Sequence, residues 1–244
     1  MKPITAFALL IGLTAVAATA RQSASARPSS QRSQAYAPTI DPANFVTVID
    51  NPFFALKPGT TQIYEGKTDK GFEHEEVRVS TDVKTILGVP CVTVFDTVKL
   101  DGKLKEATLD WYAQDKQGNV WYFGEDSKDY KDGKVVSTKG SWIAGVNGAQ
   151  PGYLMKAKPT LGETYRQEYY KGGAEDMAKV VSLTESAVLP QGSSKNLLMV
   201  KEWSALDSPP VYEYKYYENG VGLVMVKGGT GKGWKMSLTE TRLK

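Results

Sequence analysis

The chain has 244 residues, of which 41% are hydrophobic, 10% aromatic and 23% charged, and it contains one cysteine and one histidine. This composition is typical of a globular protein with enough apolar residues for a sizeable core. A single cysteine excludes a disulfide scaffold, and Cys91 with His74 cannot supply the three ligands of a Cys/His zinc site. The sequence therefore indicates no metal site and no cofactor.

The formal net charge of +3 is unevenly distributed along the chain. Residues 1–40 hold four basic residues and no acidic ones, which leaves residues 41–244 with 26 Lys and Arg against 27 Asp and Glu. A nearly neutral folded part offers no basic face for phosphates, so we expect no nucleic-acid partner.

The N-terminus has the pattern of an export signal. Lys2 precedes an apolar run over residues 4–18, and both Ala18-Thr19-Ala20 and Ala24-Ser25-Ala26 fit the small-x-small cleavage rule. We predict a signal peptide over residues 1–26 and an exported protein, periplasmic or extracellular, without stable membrane insertion. No cysteine follows the apolar run, so we expect no lipid anchor.

Residues 27–42 are rich in Ser, Gln, Arg, Ala and Pro and show no periodicity. Such a composition cannot bury enough apolar surface to offset the entropy of ordering. The segment is predicted to be a flexible tether.

Beyond residue 50 the pattern predicts antiparallel β-strands. Segments rich in Val, Thr, Tyr, Trp and Phe alternate with dipeptides such as Asp101-Gly102 and Asn219-Gly220, whose glycine tolerates the positive φ of tight hairpins. Twelve strands are predicted, at Thr60–Gly66, Glu73–Val83, Pro90–Leu100, Lys103–Gln114, Asn119–Glu125, Lys134–Lys139, Glu163–Tyr170, Met177–Leu189, Lys195–Ser204, Val211–Tyr217, Gly222–Val226 and Lys235–Arg242. No segment has a sustained helical period. The acidic run over residues 125–133 is interpreted as a solvated hairpin end.

The two halves of the chain are similar in sequence when one is shifted by about a hundred residues. For example, Lys57-Pro58 precedes Tyr64 as Lys158-Pro159 precedes Tyr165. Shared turn chemistry in unrelated meanders is the alternative explanation. We predict a mainly β fold, an antiparallel curved sheet (half-barrel or sandwich) built from two similar halves, residues 43–150 and 151–244, in one compact unit.

Two strand-turn-strand runs carry a resemblance. They are Trp111-Tyr112-Ala113 followed by Gly118-Asn119-Val120-Trp121-Tyr122, and Tyr216-Tyr217 followed by Gly220-Val221-Gly222-Leu223-Val224. Both resemble a segment found in uncharacterised exported bacterial β-proteins, which are distantly similar to the half-barrels of lipoprotein carriers. The resemblance implies an exported protein with a curved sheet, and it implies no site residue. The chain lacks the lipidation cysteine and covering helix of the carriers.

Clustered aromatic residues predict a concavity for a small amphipathic or glycan-like ligand, because Trp and Tyr combine a flat apolar face with a polar edge. Arg166 could bind an anionic group through its planar guanidinium, although a cross-strand ion pair with Glu168 or a neighbour is an alternative role. The predicted ligand-binding residues are Trp111, Tyr112, Trp121, Tyr165, Arg166, Glu168, Tyr169, Trp203 and Tyr217.

Asp96 and Glu202 occupy equivalent positions of the two halves. If both face one cavity, they could act as the acid and base of an extracellular hydrolase or lyase that cleaves a polymer. Strand-end acids held by an ion pair or by backbone donors are the structural alternative. A third hypothesis is an envelope interaction module that uses an exposed sheet edge. Non-catalytic binding is the favoured function, and catalysis stays open.

Overall fold

The computed structural model describes residues 36–228 and 233–243. The predicted signal peptide and residues 27–35 of the predicted tether lie outside this range.

The last residues of the predicted tether contact the folded chain. The Tyr36 hydroxyl donates a hydrogen bond to the Pro151 carbonyl over 2.9 Å, and the Tyr36 ring packs edge-on against Tyr169 with 5.8 Å between centroids. This end of the segment is therefore docked, where we expected a free linker.

Nearly all regular structure in the described residues is β. The strands are β1 (Phe45–Val46), β2 (Asp50–Asn51), β3 (Phe54–Ala55), β4 (Thr60–Thr68), β5 (Gly71–Ile86), β6 (Val89–Leu100), β7 (Lys103–Asp115), β8 (Val120–Lys131), β9 (Lys134–Ser137), β10 (Trp142–Ile143), β11 (Gln150–Met155), β12 (Thr164–Arg166), β13 (Glu168–Tyr169), β14 (Asp176–Leu189), β15 (Gly192–Ser204), β16 (Glu213–Glu218), β17 (Gly222–Gly228) and β18 (Lys235–Leu243). A 3-10 turn over Pro42–Asn44 precedes β1.

The predicted fold class is confirmed, and eleven of the twelve predicted strands are present as single strands with shifted ends. The exception is Glu163–Tyr170, which is divided, and β11 lies outside every predicted strand. The hairpin turns have the backbone that their sequences require: φ is 48° at Asp101 and 76° at Gly102, and 51° at Asp132 and 74° at Gly133. Two consecutive positive φ values define the type I′ turn, which matches the twist of the flanking strands.

The interpretation of residues 125–133 as a solvated hairpin end holds only for residues 131–133, which are exposed at the turn between β8 and β9. It is wrong for the residues before them, because β8 continues to Lys131. Glu125 and Ser127 are buried in this strand and pair with Asp110 and Thr108 of β7. The inner face is polar here, so the alternation of apolar and polar residues that reveals a strand is lost.

One antiparallel sheet forms the body of the protein, in the order β12-β14-β15-β16-β17-β18-β4-β5-β6-β7-β8-β11-β13. Most neighbours are consecutive hairpins, and β18 returns to pair with β4. The short strands β1, β9 and β10 pair with β7 or β8 beside this path. Both predicted halves thus supply consecutive strands to a single sheet.

The two ends of the sheet meet at residues 164–169. We predicted one strand here, but the segment divides at Gln167, because β12 pairs with β14 while β13 pairs with β11. One short segment therefore joins both ends and nearly closes the sheet into a barrel. Gly152 permits the approach, since a Cβ at this position would lie 2.5 Å from the carbonyl oxygens of Arg166 and Gln167.

The inner face carries a mixed core. Aliphatic residues such as Val79, Val94 and Val200 are buried, and the N-terminal segment adds Ile49 and Phe54 to the same cluster. Polar residues share this inner face with the aliphatic ones, and they define the candidate site below.

Substituting Gly152→Ala should loosen the closure of the barrel. The added methyl group has no space, and overpacking of this kind costs about 1–3 kcal/mol. We expect a lower free energy of unfolding in urea, together with faster amide hydrogen exchange at Gln167, while the amides of the β5–β6 hairpin keep their protection. Uniform loss of protection, or no change at Gln167, would contradict the role given to this contact.

Candidate functional site

The interior is rich in carboxyl groups. Eleven Asp and Glu side chains are buried in the described residues, against one buried lysine, Lys215. The acids are Glu73, Glu75, Asp96, Glu106, Asp110, Asp115, Glu125, Glu168, Asp176, Glu202 and Glu213. Charged side chains are seldom buried without a partner, so this concentration is the most unusual feature of the molecule.

Strand alternation brings several of these acids together. In β5, Glu73 and Glu75 share the face of Val77, because side chains two residues apart point the same way. Pairing register then places Val77 opposite Asp96, and Asp96 opposite Thr108. The acids thus lie on adjacent strands of one inner surface.

Lys215 provides the positive charge within this cluster. Its Nζ lies 2.7 Å from Glu202 Oε2, and Gln167 Nε2 donates a hydrogen bond of 3.0 Å to the other Glu202 oxygen. Burial by itself lowers the pKa of Lys215, but Glu202 and Glu213 outweigh it and the pKa is raised. Lys215 is therefore a charged ammonium in the interior.

Protons neutralise other members of the cluster. Burial raises the pKa of Glu75 to about 8 and that of Glu213 to about 8, and it raises the pKa of Asp110 to about 7. Burial also raises the pKa of Asp96 well above its usual value, and the neighbouring charge of Glu75 adds to the effect. Glu75 and Asp96 are hydrogen-bonded through their side chains, which requires a shared proton.

Tyrosines complete the inner surface. The Tyr122 hydroxyl donates a hydrogen bond of 2.5 Å to Asp110, and its ring stacks on Tyr112 with 4.9 Å between centroids. The Tyr64 hydroxyl donates to the Leu223 carbonyl over 3.1 Å. The tyrosine hydroxyl groups thus donate hydrogen bonds to acceptors inside the barrel.

Some of the predicted ligand-binding residues belong to this interior. Tyr112, Tyr165, Glu168 and Tyr217 are buried on the inner side, where Glu168 accepts a hydrogen bond of 2.6 Å from the indole nitrogen of Trp142. They contribute to the inner surface and do not line the open cleft described below.

Other predicted residues lie elsewhere on the molecule. The Arg166 guanidinium lies over the Tyr169 ring at 4.8 Å and pairs with Glu175 at 3.4 Å, so it forms the alternative ion pair with a neighbour and not with Glu168. Trp203 packs edge-on against Tyr212.

Trp121 donates its indole N–H to Asp115 over 2.9 Å. The nine predicted residues are therefore distributed over several places and do not form one site.

Asp96 and Glu202 are both buried, but each has another partner. Asp96 is hydrogen-bonded to Glu75, whereas Glu202 is held by Lys215 and Gln167. The charges that act most strongly on Asp96 are those of Glu75, Asp110 and Glu106. Glu202 therefore matches the alternative of an acid held by an ion pair, whereas Asp96 lies within β6 and is held by another carboxyl group.

An open cleft of about 420 Å³ lies where the segment after β9 passes over β7 and β8. It combines aromatic, aliphatic and polar side chains. Its lining residues are Lys84, Leu109, Trp111, Glu125, Asp126, Ser141, Trp142, Ile143, Val146, Asn147 and Tyr170.

Contacts hold the walls of this cleft in place. β10 pairs with β8 at Gly124, where a Cβ would lie 2.5 Å from the Trp142 carbonyl oxygen, so only glycine permits this approach. Ser141 Oγ accepts from the Ser127 N–H at 2.9 Å and donates to the Ser127 carbonyl. Lys84 Nζ lies 3.5 Å above the centre of the Trp111 ring.

Of the predicted ligand-binding residues, Trp111 alone lines this cleft. Sequence reasoning did not select Lys84, Ser141, Asn147 or Tyr170, because these residues come from separate segments. For the buried acids a signal existed: continuing the alternation of Val77 and Val79 backwards places Glu75 and Glu73 on the buried face.

No protein-family model matches the chain. No curated protein matches it either. Among solved structures, the chain is similar to a protein from Bacteroides fragilis described as exported and with a YmcC-like fold, at 14% identity and a TM-score of 0.45, over 78% of this chain and 98% of the other. It is also similar to a protein from Parabacteroides distasonis described as a lipoprotein, at 14% identity and a TM-score of 0.41, with the same coverage of 78% and 98%. At this similarity no site residue can be transferred.

No helix among the described residues is long and apolar enough to span a membrane. Within the same part of the chain, no three His, Cys, Asp or Glu side chains converge on a point that could hold a metal ion.

The stability of the protein should fall as the pH rises from 5 to 8. In this window the folded chain keeps protons on Glu75 and Glu213, each with a pKa raised to about 8, which the unfolded chain has lost with a pKa near 4.5. The stabilisation that these protons provide is complete below the pKa of the unfolded chain and disappears as the pH rises through the pKa of the folded chain. The loss in free energy of unfolding is of the order of several kcal/mol. Urea unfolding midpoints at constant ionic strength measure it.

Glu75→Gln and Glu213→Gln should each flatten this pH profile, because the amide carries no titratable proton. Glu240→Gln is the control, since Glu240 is exposed beside Arg242 and its pKa is lowered, so it titrates below the window. A stability that is constant or rises between pH 5 and 8 would contradict protonated interior acids.

Lys215→Met should destabilise the fold by about 3–5 kcal/mol at pH 7, because it leaves Glu202 buried without its cation. The double variant Lys215→Met with Glu202→Gln should recover part of this loss, since the uncompensated charge is then removed. Urea unfolding of both variants, analysed as a double-mutant cycle, tests the coupling. If the losses of unfolding free energy caused by the two substitutions simply add in the double variant, the proposed coupling is contradicted.

Proposed function

We propose that this chain is an exported binding protein whose cleft between the β7–β8 surface and residues 141–147 takes a small carbohydrate-like or amphipathic ligand. Export is inferred from the predicted signal peptide. The observation that carries the binding function is the cleft, because it joins aromatic and aliphatic surface to polar groups in one open concavity.

The size of the cleft suits a small ligand. Small-molecule sites have volumes of about 300–1,000 Å³ and consist of apolar walls with a few oriented polar groups. Here a volume of about 420 Å³ is bordered by Leu109, Ile143 and Tyr170, with the exposed amide of Asn147 among them. A sugar ring or an amphipathic molecule presents the same combination of apolar face and polar edge.

The interior of the barrel is a less suitable location. The unpaired oxygens of Glu73, Glu75 and Asp96 are buried. A ligand would have to displace packed side chains to reach them, whereas it can enter the cleft directly. The interior acids are therefore assigned to the fold and the cleft to binding.

The test is calorimetric titration of the mature protein with a panel of mono- to tetrasaccharides, neutral and acidic, and with 1-anilinonaphthalene-8-sulfonate as the amphipathic probe. We expect saturable binding of at least one probe, weakened by about fivefold or more in Tyr170→Leu, because losing an aromatic contact costs about 1 kcal/mol. Tyr214→Leu is the matched control, since both tyrosines are half-buried against the core but, of the two, only Tyr170 lines the cleft. Absence of binding, or equal weakening in both variants, would refute the proposal.

A further inference from the structure

Lys84 is the charged group that the cleft offers to a ligand. It comes from β5, is half-buried, and lies over Trp111 with 3.5 Å between Nζ and the ring centre. Among the described ion pairs, none involves Lys84. Its ammonium group therefore lies against an aromatic ring, and no salt bridge among the described residues competes with a ligand for it.

The acidic residues of the cleft are already occupied or turned away. Asp126 pairs with Lys128 at 2.6 Å. Both carboxyl oxygens of Glu125 are buried, although the residue contributes to the lining. A ligand in the cleft thus meets the ammonium group of Lys84 beside one acid that already has an ion-pair partner and another whose oxygens are buried.

The position of Lys84 also limits how a neutral ligand can bind. Trp111 is 4% exposed, and the lysine covers one face of its ring. A neutral sugar that stacked on this face would have to displace the ammonium group and lose the cation–π contact, which is worth about 0.5–2 kcal/mol. An anionic sugar keeps the contact and gains an ion pair with a side chain that is already oriented.

We propose that the ligand of the cleft is an acidic saccharide, whose anionic group pairs with Lys84 while Tyr170 contacts the sugar ring and the Asn147 amide bonds to its hydroxyl groups. This inference rests on the proposed function and names its ligand class. A lysine ammonium group is a compact charge without a fixed planar geometry, so it can pair with either a carboxylate or a sulfate.

The experiment compares probes that share the cellobiose skeleton and differ in charge: cellobiouronic acid against cellobiose, and a monosulfated cellobiose as the second source of negative charge. We expect the acidic disaccharides to bind about tenfold or more tightly than cellobiose, as a partly desolvated ion pair allows. Raising the salt concentration from about 50 mM to about 500 mM should reduce this preference, because salt screens the pair.

Lys84→Gln should lower the affinity for the acidic disaccharides to that for cellobiose, and Lys84→Arg should retain most of the preference. Lys201→Gln is the matched control, because Lys201 Nζ lies 3.4 Å above the Tyr212 ring and does not line the cleft. This control should bind like the unchanged protein.

The outcomes separate the two proposals. Equal affinity for acidic and neutral disaccharides, or an acid preference that survives Lys84→Gln, overturns the acidic ligand and leaves the cleft as a binding site. Failure of every saccharide and of the amphipathic probe to bind overturns both. If Lys84→Gln does not fold, the effect of salt on the acid preference of the unchanged protein tests the ion pair independently.

Discussion

The backbone hydrogen bonds of residues 164–169 convert a long meander into an enclosed fold. β12 pairs with β14 and β13 pairs with β11, and at the junction the Gln167 N–H donates to the Asp176 carbonyl over 2.8 Å. Closing a sheet removes its free edges and withdraws one face of every strand from water. The burial of acids and tyrosines follows from this closure, since their own solvation would keep them exposed.

Gln167 links closure to the charges inside. Its side-chain amide donates to Glu202, which also pairs with Lys215. A buried carboxylate is costly unless it is paired or protonated, and the interior uses both solutions. Lys215 compensates the acids around it, whereas Glu75 and Asp96 share a proton. Protonation thus becomes a structural component of the barrel, and packing is linked to pH through these groups.

Strand positions could be predicted because turn dipeptides and β-branched or aromatic runs act locally. The end of β8 could not, since Ser127 faces a polar interior and gives no apolar signal. The cleft was beyond sequence reasoning for a different reason: Lys84, Trp111 and Tyr170 meet only after the segment behind β9 crosses the sheet at Gly124. A single sequence shows alternation within strands but does not show which segment covers which strand.

The same physical rule distinguishes lysines that make similar contacts. Lys84 and Lys201 each lie above an aromatic ring, at 3.5 Å and 3.4 Å from its centre, so the local cation–π contacts are nearly equivalent. Their surroundings differ, because Lys84 lines the cleft and Lys201 does not. A cleft with apolar walls lowers the effective dielectric constant and focuses the field of a charge within it. We therefore expect the shape made by the crossing segment to give Lys84 a stronger attraction for an anion than its contact with Trp111 alone would give.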